Sequence, residues 1–326
     1  RRLPMNEPIR ARIASFCGQK RVLAGSLIIS LFGDMVLPRG GRIWMGSLIR
    51  LLEPLGLNER LARTAVFRLA RDQWLCSAAH GRRSDYLLTP TGQRRCEEAA
   101  RQIYAARGPD WDRRWRLLLV LAPLAQKDRD GLRRALFWQG FGALGEQCFV
   151  HPGVDLSVVL DTLAAEGKGR WLADLLPLVA ADASLAGMAG NADLVARAWD
   201  LRGLARAYGD FVALYAPVLA ELRADRQVAI DDEEVCLLRL LLIHDYRRLL
   251  LRDPELPEVL LPVDWPGEQA RVLCKELYRR LLAPSERHLD RLLCTADGRS
   301  PTFSPAFLAR FQPDDPLPIP ERRSMR

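Results

Sequence analysis

The sequence predicts an α+β protein that is mostly helical: an N-terminal winged helix-turn-helix, a small α+β middle domain and a helical C-terminal domain. Three observations lead to this fold class. An amphipathic helix with an arginine-rich outer face lies between a short helix and a hairpin pattern. A strand–helix–strand–helix–strand pattern follows it, and long segments of helical periodicity fill the remainder. A chain of 326 residues is too long for one ordinary core, so several domains are expected.

Changes in pattern along the chain predict the domain boundaries. We predict a winged-helix DNA-binding domain over residues 24–107, a middle domain over 112–180 and a helical effector and dimerisation domain over 188–300. The last segment, 301–326, is rich in proline and is predicted to be an extended tail.

The helix predicted over Asn58–Trp74 is the centre of the first domain. At about 100° per residue, its alanines and aliphatic residues from Leu61 to Ala70 form one apolar arc. Asn58 is a suitable N-cap for this helix. The opposite arc carries Arg60, Arg63, Thr64, Phe67 and Arg71, with Arg68 at its edge. Arginine can bind guanine through two hydrogen bonds and threonine can contact a base or a phosphate, so this arc predicts a DNA-reading surface.

The flanking segments predict a winged helix rather than an isolated amphipathic helix. Ser47–Leu55 reads as a short helix that ends at a turn containing Gly56, which gives the helix-turn-helix order. Leu75–Leu88 has a hairpin pattern with a basic tip, and a further helix is predicted over Gln93–Tyr104. Arg42–Trp44 is predicted to form a short strand that pairs with the wing.

Position within this domain predicts a role for each polar residue. The residues expected in or beside the major groove are Arg60, Arg63, Thr64, Arg68 and Arg71. Arg82 and Arg83 at the wing tip are expected to reach phosphate or the minor groove. The residues that could bind the DNA backbone, with an ordinary surface role equally open, are Arg39, Arg42, Ser47 and Arg50. Phe67 is expected to pack on the wing, with contact to a thymine methyl group as the alternative.

The distribution of charge agrees with this assignment. Residues 1–107 contain 19 Lys and Arg against 8 Asp and Glu, a net charge of +11, whereas the rest of the chain has a net charge of −3. Polyanion affinity comes largely from counterion release, so a localised positive excess indicates a phosphate-binding region.

Composition argues against a secreted, metal-binding or membrane protein. The seven cysteines are dispersed without paired spacing and the four histidines lie far apart, which indicates reduced thiols and neither a disulfide framework nor a zinc site. The apolar run Val22–Phe32 is too short to span a bilayer and lacks the layout of a cleavable signal. We therefore expect a cytoplasmic protein without metal or cofactor.

The middle and C-terminal segments alternate between strand and helix patterns and then become helical. In the middle domain, strands are predicted over Trp115–Ala122, Gly145–His151 and Arg170–Leu176, and helices over Lys127–Phe141 and Leu156–Ala165. Further on, Asn191–Leu222 predicts two helices broken near Gly209 or Pro217, and Glu233–Leu251 a central buried helix. Gly267–Leu282 and Pro284–Leu293 predict two more.

The sequence as a whole resembles the PaaX-type repressors of phenylacetate degradation. The segments that carry the resemblance are Ser26–Asp34, Pro38–Gly41, Trp44–Leu52, Gly56–Arg60, Arg63-Thr64, Arg68-Leu69, Leu88–Gly92, Leu241–Arg248, Asp253–Pro257, Leu260–Pro262 and Asp264–Gly267. The resemblance implies a ferredoxin-like (Cas2-like) middle domain. It also implies release from DNA by an aryl-acyl-CoA such as phenylacetyl-CoA. We expect two winged helices in a homodimer to bind a pseudo-palindromic operator in double-stranded DNA.

An aryl-acyl-CoA effector requires aromatic side chains for its apolar end and basic side chains for its phosphates. The C-terminal candidates are Trp199, Tyr215, Tyr246, Arg247, Arg248, Trp265, Tyr278 and Arg279. Nothing in their spacing shows that they converge. The neighbouring pair His244-Asp245 suggests acid–base chemistry, but adjacent residues of a helix do not face each other and no nucleophile motif is present.

Two other classes of function remain as alternatives. A metal-dependent nuclease would use the Cas2-like domain, but the first predicted strand ends at Val120–Pro123 without a carboxylate and the first acid is Asp128. A CoA-ester hydrolase would use the helical domain. These two enzymes form one class, and the other class is a DNA-binding module without an effector. We predict no catalytic residue, and a repressor is the favoured reading.

Overall fold

The computed structural model describes residues 7–19, 23–181, 188–224, 231–301, 304, 307, 310 and 311. Contacts divide the chain into two compact units. Unit 1 comprises Arg1–Ala106, Gly209–Arg248 and Gly267–Arg326, and unit 2 comprises Arg107–Tyr208 and Leu249–Pro266. The predicted N-terminal region therefore shares a unit with most of the C-terminal helices. The three-domain division made from the sequence stays a prediction.

The N-terminal part of unit 1 has the winged helix-turn-helix arrangement. Its elements are α1 (Glu7–Cys17), α2 (Ala24–Leu31), β1 (Arg42–Trp44), α3 (Met45–Leu52), α4 (Glu59–Arg71), β2 (Leu75–His80), β3 (Arg83–Leu88) and α5 (Pro90–Ile103). The three strands form an antiparallel sheet in the order β1-β3-β2. The predicted short helix, following helix, hairpin and strand pairing are all confirmed.

The core of unit 1 joins this arrangement to the C-terminal helices. These helices are α9 (Leu201–Ala224), α10 (Asp232–Leu250) and α11 (Pro266–Leu292). Leu27 of α2 and Leu48 of α3 belong to one buried apolar cluster with Leu237 and Leu241 of α10 and Leu289 of α11. The winged helix is thus packed against α10 and α11 by a shared hydrophobic core.

Unit 2 is built on an antiparallel sheet with strand order β5-β6-β4-β7. Its elements are β4 (Arg114–Val120), α6 (Gln126–Phe137), β5 (Gly142–Ala143), β6 (Cys148–His151), α7 (Leu156–Leu163), β7 (Leu175–Ala181) and α8 (Asn191–Ala198). Alternate residues of β4 point to opposite faces. Leu118 packs with the residues of α6 and α7, whereas Trp115 packs with Val195 and Trp199.

The prediction for the last strand of the middle domain was wrong by about five residues. Gly169–Asp174 forms 3₁₀ turns, and the strand begins only at Leu175. Trp171 within those turns is buried against the apolar cluster of α6 and α7. An aromatic side chain can be buried from a helical turn as well as from a strand. The hydrophobic pattern alone therefore did not distinguish a 3₁₀ turn from a strand.

The predicted helix breaks were also misplaced. The first helix pair breaks at Trp199–Asp200, where the Asp200 carboxylate accepts a hydrogen bond from Gly203 N at 3.3 Å, and α9 continues through Gly209 and Pro217. The two helices predicted around Pro284 form the single helix α11. Residues on both sides of Pro284 are buried, so tertiary packing outweighs the hydrogen bond that proline removes.

The beginning of the predicted tail is part of the core rather than extended. Phe307 and Phe311 are each 1% exposed and Arg310 is 7% exposed. Phe311 N donates a backbone hydrogen bond to Tyr104 O at 3.0 Å. Residues 312–326 lie outside the described residues. In the described part of the chain, no helix is long and apolar enough to cross a membrane.

Candidate nucleic-acid interface

Helix α4 presents an apolar face to the core and a basic face to solvent. Asn58 caps the helix, because its side-chain oxygen accepts a hydrogen bond from Leu61 N at 2.9 Å. Ala62, Ala65 and Val66 are buried, whereas Leu61, which the periodicity placed on the apolar arc, is 39% exposed. We call the exposed opposite side the recognition face; it comprises Arg60, Arg63, Thr64, Phe67, Arg68 and Arg71.

Among the described residues, the polar groups of the recognition face contact only near neighbours in the sequence. Arg63 Nε lies 2.8 Å from Glu59 Oε1, and Arg71 Nε lies 3.1 Å from Asp72 Oδ1. The Thr64 hydroxyl donates to Arg60 O at 2.8 Å. Exposed ion pairs of this kind contribute about 0–1 kcal/mol, so a phosphate or a base can replace them at little cost.

The turn between α3 and α4 fixes how the recognition face is presented. A short 3₁₀ segment follows α3, and Gly56 then adopts a left-handed conformation with φ 81°. Only glycine accepts this backbone without a steric penalty. Leu55 and Leu57 on either side of the glycine are both fully buried. The turn is therefore anchored in the core, and α4 leaves it in a fixed direction.

The wing adds a second basic surface in the same unit. Strands β2 and β3 pair up to His80↔Arg83, which leaves Gly81 and Arg82 as the turn. The Arg83 guanidinium lies 4.7 Å from the centre of the Trp44 ring, and that of Arg50 lies 5.7 Å from it. Each such contact is worth about 0.5–1 kcal/mol at an exposed site and orders a long, flexible side chain.

The position of Trp44 depends on the glycine beside it. A Cβ placed on Gly46 would lie 2.3 Å from the Trp44 ring, so the ring occupies the space that any side chain would need. Trp44 N also donates to Cys294 O at 3.0 Å. Trp44 supports two predicted DNA contacts, Arg50 and the wing residue Arg83, and its role was not predicted from the sequence. The sequence signal for this role was the glycine two residues after Trp44, which leaves room for the ring.

Two of the predicted DNA contacts are corrected by the structure. Arg39 is 1% exposed and forms ion pairs with Glu286 at 2.5 Å and Asp290 at 2.8 Å. Ser47 is fully buried, and its hydroxyl contacts Cys294 Sγ at 3.1 Å. Neither side chain can reach a DNA backbone in this structure. Arg42 and Arg50 are exposed, as are Arg82 and Arg83, and they remain predicted contacts.

Arg39 belongs to a buried ionic network that ties the winged helix to α10, α11 and the residues beyond. The members of the network are Asp34, Arg39, Tyr104, Arg239, Tyr278, Glu286 and Arg310. Arg239 bridges the two carboxylates, with Nε 2.9 Å from Asp34 Oδ2 and Nη1 2.5 Å from Glu286 Oε1. Asp34 is thereby linked to a helix more than 200 residues away in sequence.

Asp34 is the centre of this network. The hydroxyls of Tyr104 and Tyr278 donate to Asp34 Oδ1 at 2.5 and 2.9 Å, and Arg310 Nη1 lies 2.8 Å from the same oxygen. Burial alone would raise the pKa of Asp34, but Arg239, Arg310 and the two hydroxyls hold that pKa below its ordinary value. The carboxylate is therefore ionised in the folded protein at neutral pH.

The His244-Asp245 pair has a structural role. His244 Nδ1 lies 3.0 Å from the Ser30 hydroxyl, and burial lowers the pKa of His244 to about 4. Asp245 instead pairs with Arg12 at 2.5 Å and accepts a hydrogen bond from the Tyr215 hydroxyl at 2.8 Å. The histidine and the carboxylate thus bind different partners, which leaves no acid–base pair.

A metal-dependent nuclease in the Cas2-like domain would need acidic side chains near the end of β4. Asp128, the first acid after β4, forms an ion pair with Arg170. Within the described ranges, no group of three or more His, Cys, Asp or Glu side chains is placed to hold a metal ion.

The predicted effector residues make contacts of different kinds. In unit 2, Trp199 Nε1 donates to Gly140 O at 3.1 Å and the Trp265 ring packs against Tyr208. In unit 1, Tyr215 and Tyr246 both pack on Phe211. Tyr278 belongs to the buried ionic network. Arg248 is exposed and Arg279 is half-buried.

Arg247 differs from the other candidates because it lines a narrow cleft in unit 1. The other lining residues include Ile29 and Ser30 of α2, Ala99 and Ile103 of α5, and Ile243 of α10. The contact that its guanidinium makes is with the Ser26 hydroxyl at 3.4 Å, and burial lowers the pKa of Arg247. By contrast, a carboxylate pairs with each of the buried arginines Arg12, Arg39, Arg239 and Arg310.

Comparisons with known proteins cover nearly the whole chain. Family models described as "PaaX-like protein", "PaaX protein central Cas2-like domain" and "PaaX-like protein C-terminal domain" match residues 23–92, 108–171 and 199–291. A curated relative, the transcriptional repressor PaaX of Escherichia coli (strain K12), is 37% identical over 287 residues, which are 88% of this chain and 89% of the relative. A solved structure of an uncharacterized Mycobacterium tuberculosis protein is 27% identical, with a TM-score of 0.45, over 73% of this chain and 89% of that one.

Proposed function

This chain belongs to the PaaX family of transcriptional repressors, and we propose that it binds double-stranded DNA through α4 and the β2–β3 wing. It is a DNA-binding repressor and not an enzyme. The observation that supports the proposed surface is the recognition face itself, whose four arginines project from a helix anchored in the core. We infer that it acts on the chromosome, in the cytoplasm, on an operon for an aromatic acid of the phenylacetate type.

The recognition face would enter the major groove. A groove about 12 Å wide admits an α-helix, and arginine there can bind the O6 and N7 atoms of guanine. Arg60 and Arg68 form no ion pair in the described part of the chain, so they are available without breaking one. Arg63 and Arg71 would exchange their exposed carboxylate partners for DNA.

The wing and the Trp44 support would bind the DNA backbone beside the groove. Arg50 and Arg83 are already ordered over the Trp44 ring, so less side-chain entropy is lost when they meet phosphates. Arg42 and Arg82 are exposed nearby in sequence. We propose that two copies of the chain form a homodimer on a pseudo-palindromic operator, because two-fold protein symmetry matches such a site.

We further propose that an aryl-acyl-CoA such as phenylacetyl-CoA releases the repressor from DNA. The half-buried Arg247, without a carboxylate partner in the described structure, supports an anionic ligand at its cleft. The cavity there has a volume of about 20 Å³, room for one water molecule. A ligand must therefore separate α5 from α10, which would shift the winged helix and disturb the spacing of the two recognition helices in a dimer.

DNA binding is tested directly by a pull-down in which the purified protein retains fragments of genomic DNA. Sequencing of the retained fragments should show enrichment of a pseudo-palindromic site. If all fragments are retained equally and the retention is lost as the salt concentration rises, the protein binds DNA without sequence specificity.

A thermal-shift series tests the effector proposal. Phenylacetyl-CoA should raise the melting temperature of the wild-type protein, because a ligand of the folded state stabilises it by RT ln(1 + [L]/Kd). Arg247→Met should lose most of this shift, whereas Arg94→Met, at an exposed arginine of α5 that is not among the effector candidates, should keep it. Parallel samples with phenylacetate or coenzyme A alone identify the part that binds.

An equal shift in wild type and Arg247→Met would remove the Arg247 cleft from the proposal. If the wild-type protein shows no shift and phenylacetyl-CoA leaves its operator affinity unchanged, the effector itself is rejected and the chain is an effector-independent DNA-binding module. The same preparation settles the enzyme alternatives, since the proposal predicts no hydrolysis of phenylacetyl-CoA and no metal-dependent cleavage of DNA.

A further inference from the structure

Phe67 is exposed where the sequence predicted that it would be covered. Its relative exposure is 70%, so the expected packing on the wing is not found. The described structure shows no aromatic partner for its ring and no arginine stacked on it, although arginines are its neighbours along α4. Full burial of a phenylalanine side chain is worth about 1.5–3 kcal/mol, and the free protein forgoes most of that gain.

A single exposed apolar residue is common on protein surfaces and by itself indicates nothing. The position of Phe67 is what distinguishes it. At about 100° per residue, Phe67 lies within about 60° of Arg60, Thr64 and Arg71 around the helix axis, near the middle of the recognition face. An element that brings these arginines to DNA must therefore bring the Phe67 ring to it as well.

We infer that Phe67 reads a thymine through its C5-methyl group, an inference that rests on the proposed function of α4. The thymine methyl is the one apolar group that base pairs present in the major groove, and phenylalanine is among the side chains that contact it. Arginines supply the charge complementarity to the duplex, and the ring supplies an apolar contact that a thymine methyl group can satisfy and a hydrogen-bonding side chain does not provide. Phe67 thus determines sequence specificity in addition to affinity.

Replacement of thymine by deoxyuridine tests this inference, because it removes only the methyl group. Each thymine of a retained operator fragment is replaced in turn, and binding is measured by fluorescence anisotropy. At one thymine per half-site, the wild-type protein should lose about fourfold in affinity, the value of one buried methyl group. The Phe67→Ala protein should bind on the order of tenfold more weakly and should be indifferent to the same replacement.

Phe137→Ala is the matched control, since Phe137 of α6 is a phenylalanine that is 55% exposed in unit 2. That variant should keep both the wild-type affinity and the sensitivity to deoxyuridine. Phe67→Ala should also keep the wild-type melting temperature, because the exposed ring contributes little to the core.

Several results would overturn the inference. They are a wild-type protein that is indifferent at every thymine, a Phe67→Ala protein as sensitive as wild type, or a Phe67→Ala protein that loses self-association with its deoxyuridine response unchanged. In each of these cases the operator is still bound specifically, so the proposed function survives. A wild-type protein that selects no DNA fragment rejects both together.

Discussion

The arginines of the recognition face and those of the buried ionic network lie in the same unit but in opposite surroundings. The side chain of Arg63 is 57% exposed and pairs with a carboxylate four residues away, whereas that of Arg239 is fully buried and bridges Asp34 and Glu286. An exposed pair can be exchanged for a phosphate at little cost, while a buried pair can be broken only by leaving a charge without a partner. One residue type thus forms exchangeable pairs on the recognition face and fixes the winged helix to α10 and α11 in the buried ionic network.

The largest effect expected from this comparison is on folding stability. Arg239→Met leaves Asp34 and Glu286 without their shared cation and should lower the free energy of unfolding by about 3–5 kcal/mol. The same substitution at the exposed Arg68 should change it by less than about 0.5 kcal/mol. Guanidinium unfolding followed by circular dichroism measures both. Similar losses in the two variants would show that the buried network is not what holds unit 1 together.

The wing should give a smaller effect, on affinity rather than stability. Arg82→Ala combined with Arg83→Ala removes two exposed charges. The Arg83→Ala substitution also removes the contact of its guanidinium with the Trp44 ring. The slope of log affinity against log salt should become shallower by about 1.8, because each lost phosphate contact contributes about 0.9. The ranking of operator sequences should stay the same. A changed ranking would mean that the wing reads bases, and an unchanged slope that it does not touch phosphate.

The sequence predicted α3, α4 and the β2–β3 hairpin well because local patterns determine them, whereas α1 was not predicted. Alternation of alanine and arginine on α4, the Asn58 cap and the turn at Gly56 are all local signals, and the structure confirms each. The breaks at Gly209, Pro217 and Pro284 were predicted wrongly because burial on both sides of a helix breaker cannot be seen in a local window.

The contrast between Arg39 and Arg42 shows what sequence could not provide. The two residues lie three positions apart in a turn rich in glycine, and one is buried while the other is exposed. The difference lies in Glu286, which is 247 residues away from Arg39. Long-range partners of this kind cannot be read from a local segment.

Phe67 was mispredicted for a different reason. Periodicity placed it correctly on the outer arc of α4, but we expected an apolar side chain to pack on the wing, and its side chain is exposed instead.

The central claim is that the exposed arginines of α4 carry specific DNA binding. Its most direct test compares operator affinity in the wild type, in the Arg63→Ala and Arg68→Ala double variant, and in a control with Arg133→Ala and Arg134→Ala. The control removes the same two charges from an exposed part of α6. The α4 variant should lose about 2–6 kcal/mol of operator binding, from two contacts of about 1–3 kcal/mol each, whereas the control should lose less than about 1 kcal/mol. Equal losses of operator affinity in the two double variants would contradict this claim. They would show that α4 contributes to binding only through its net charge.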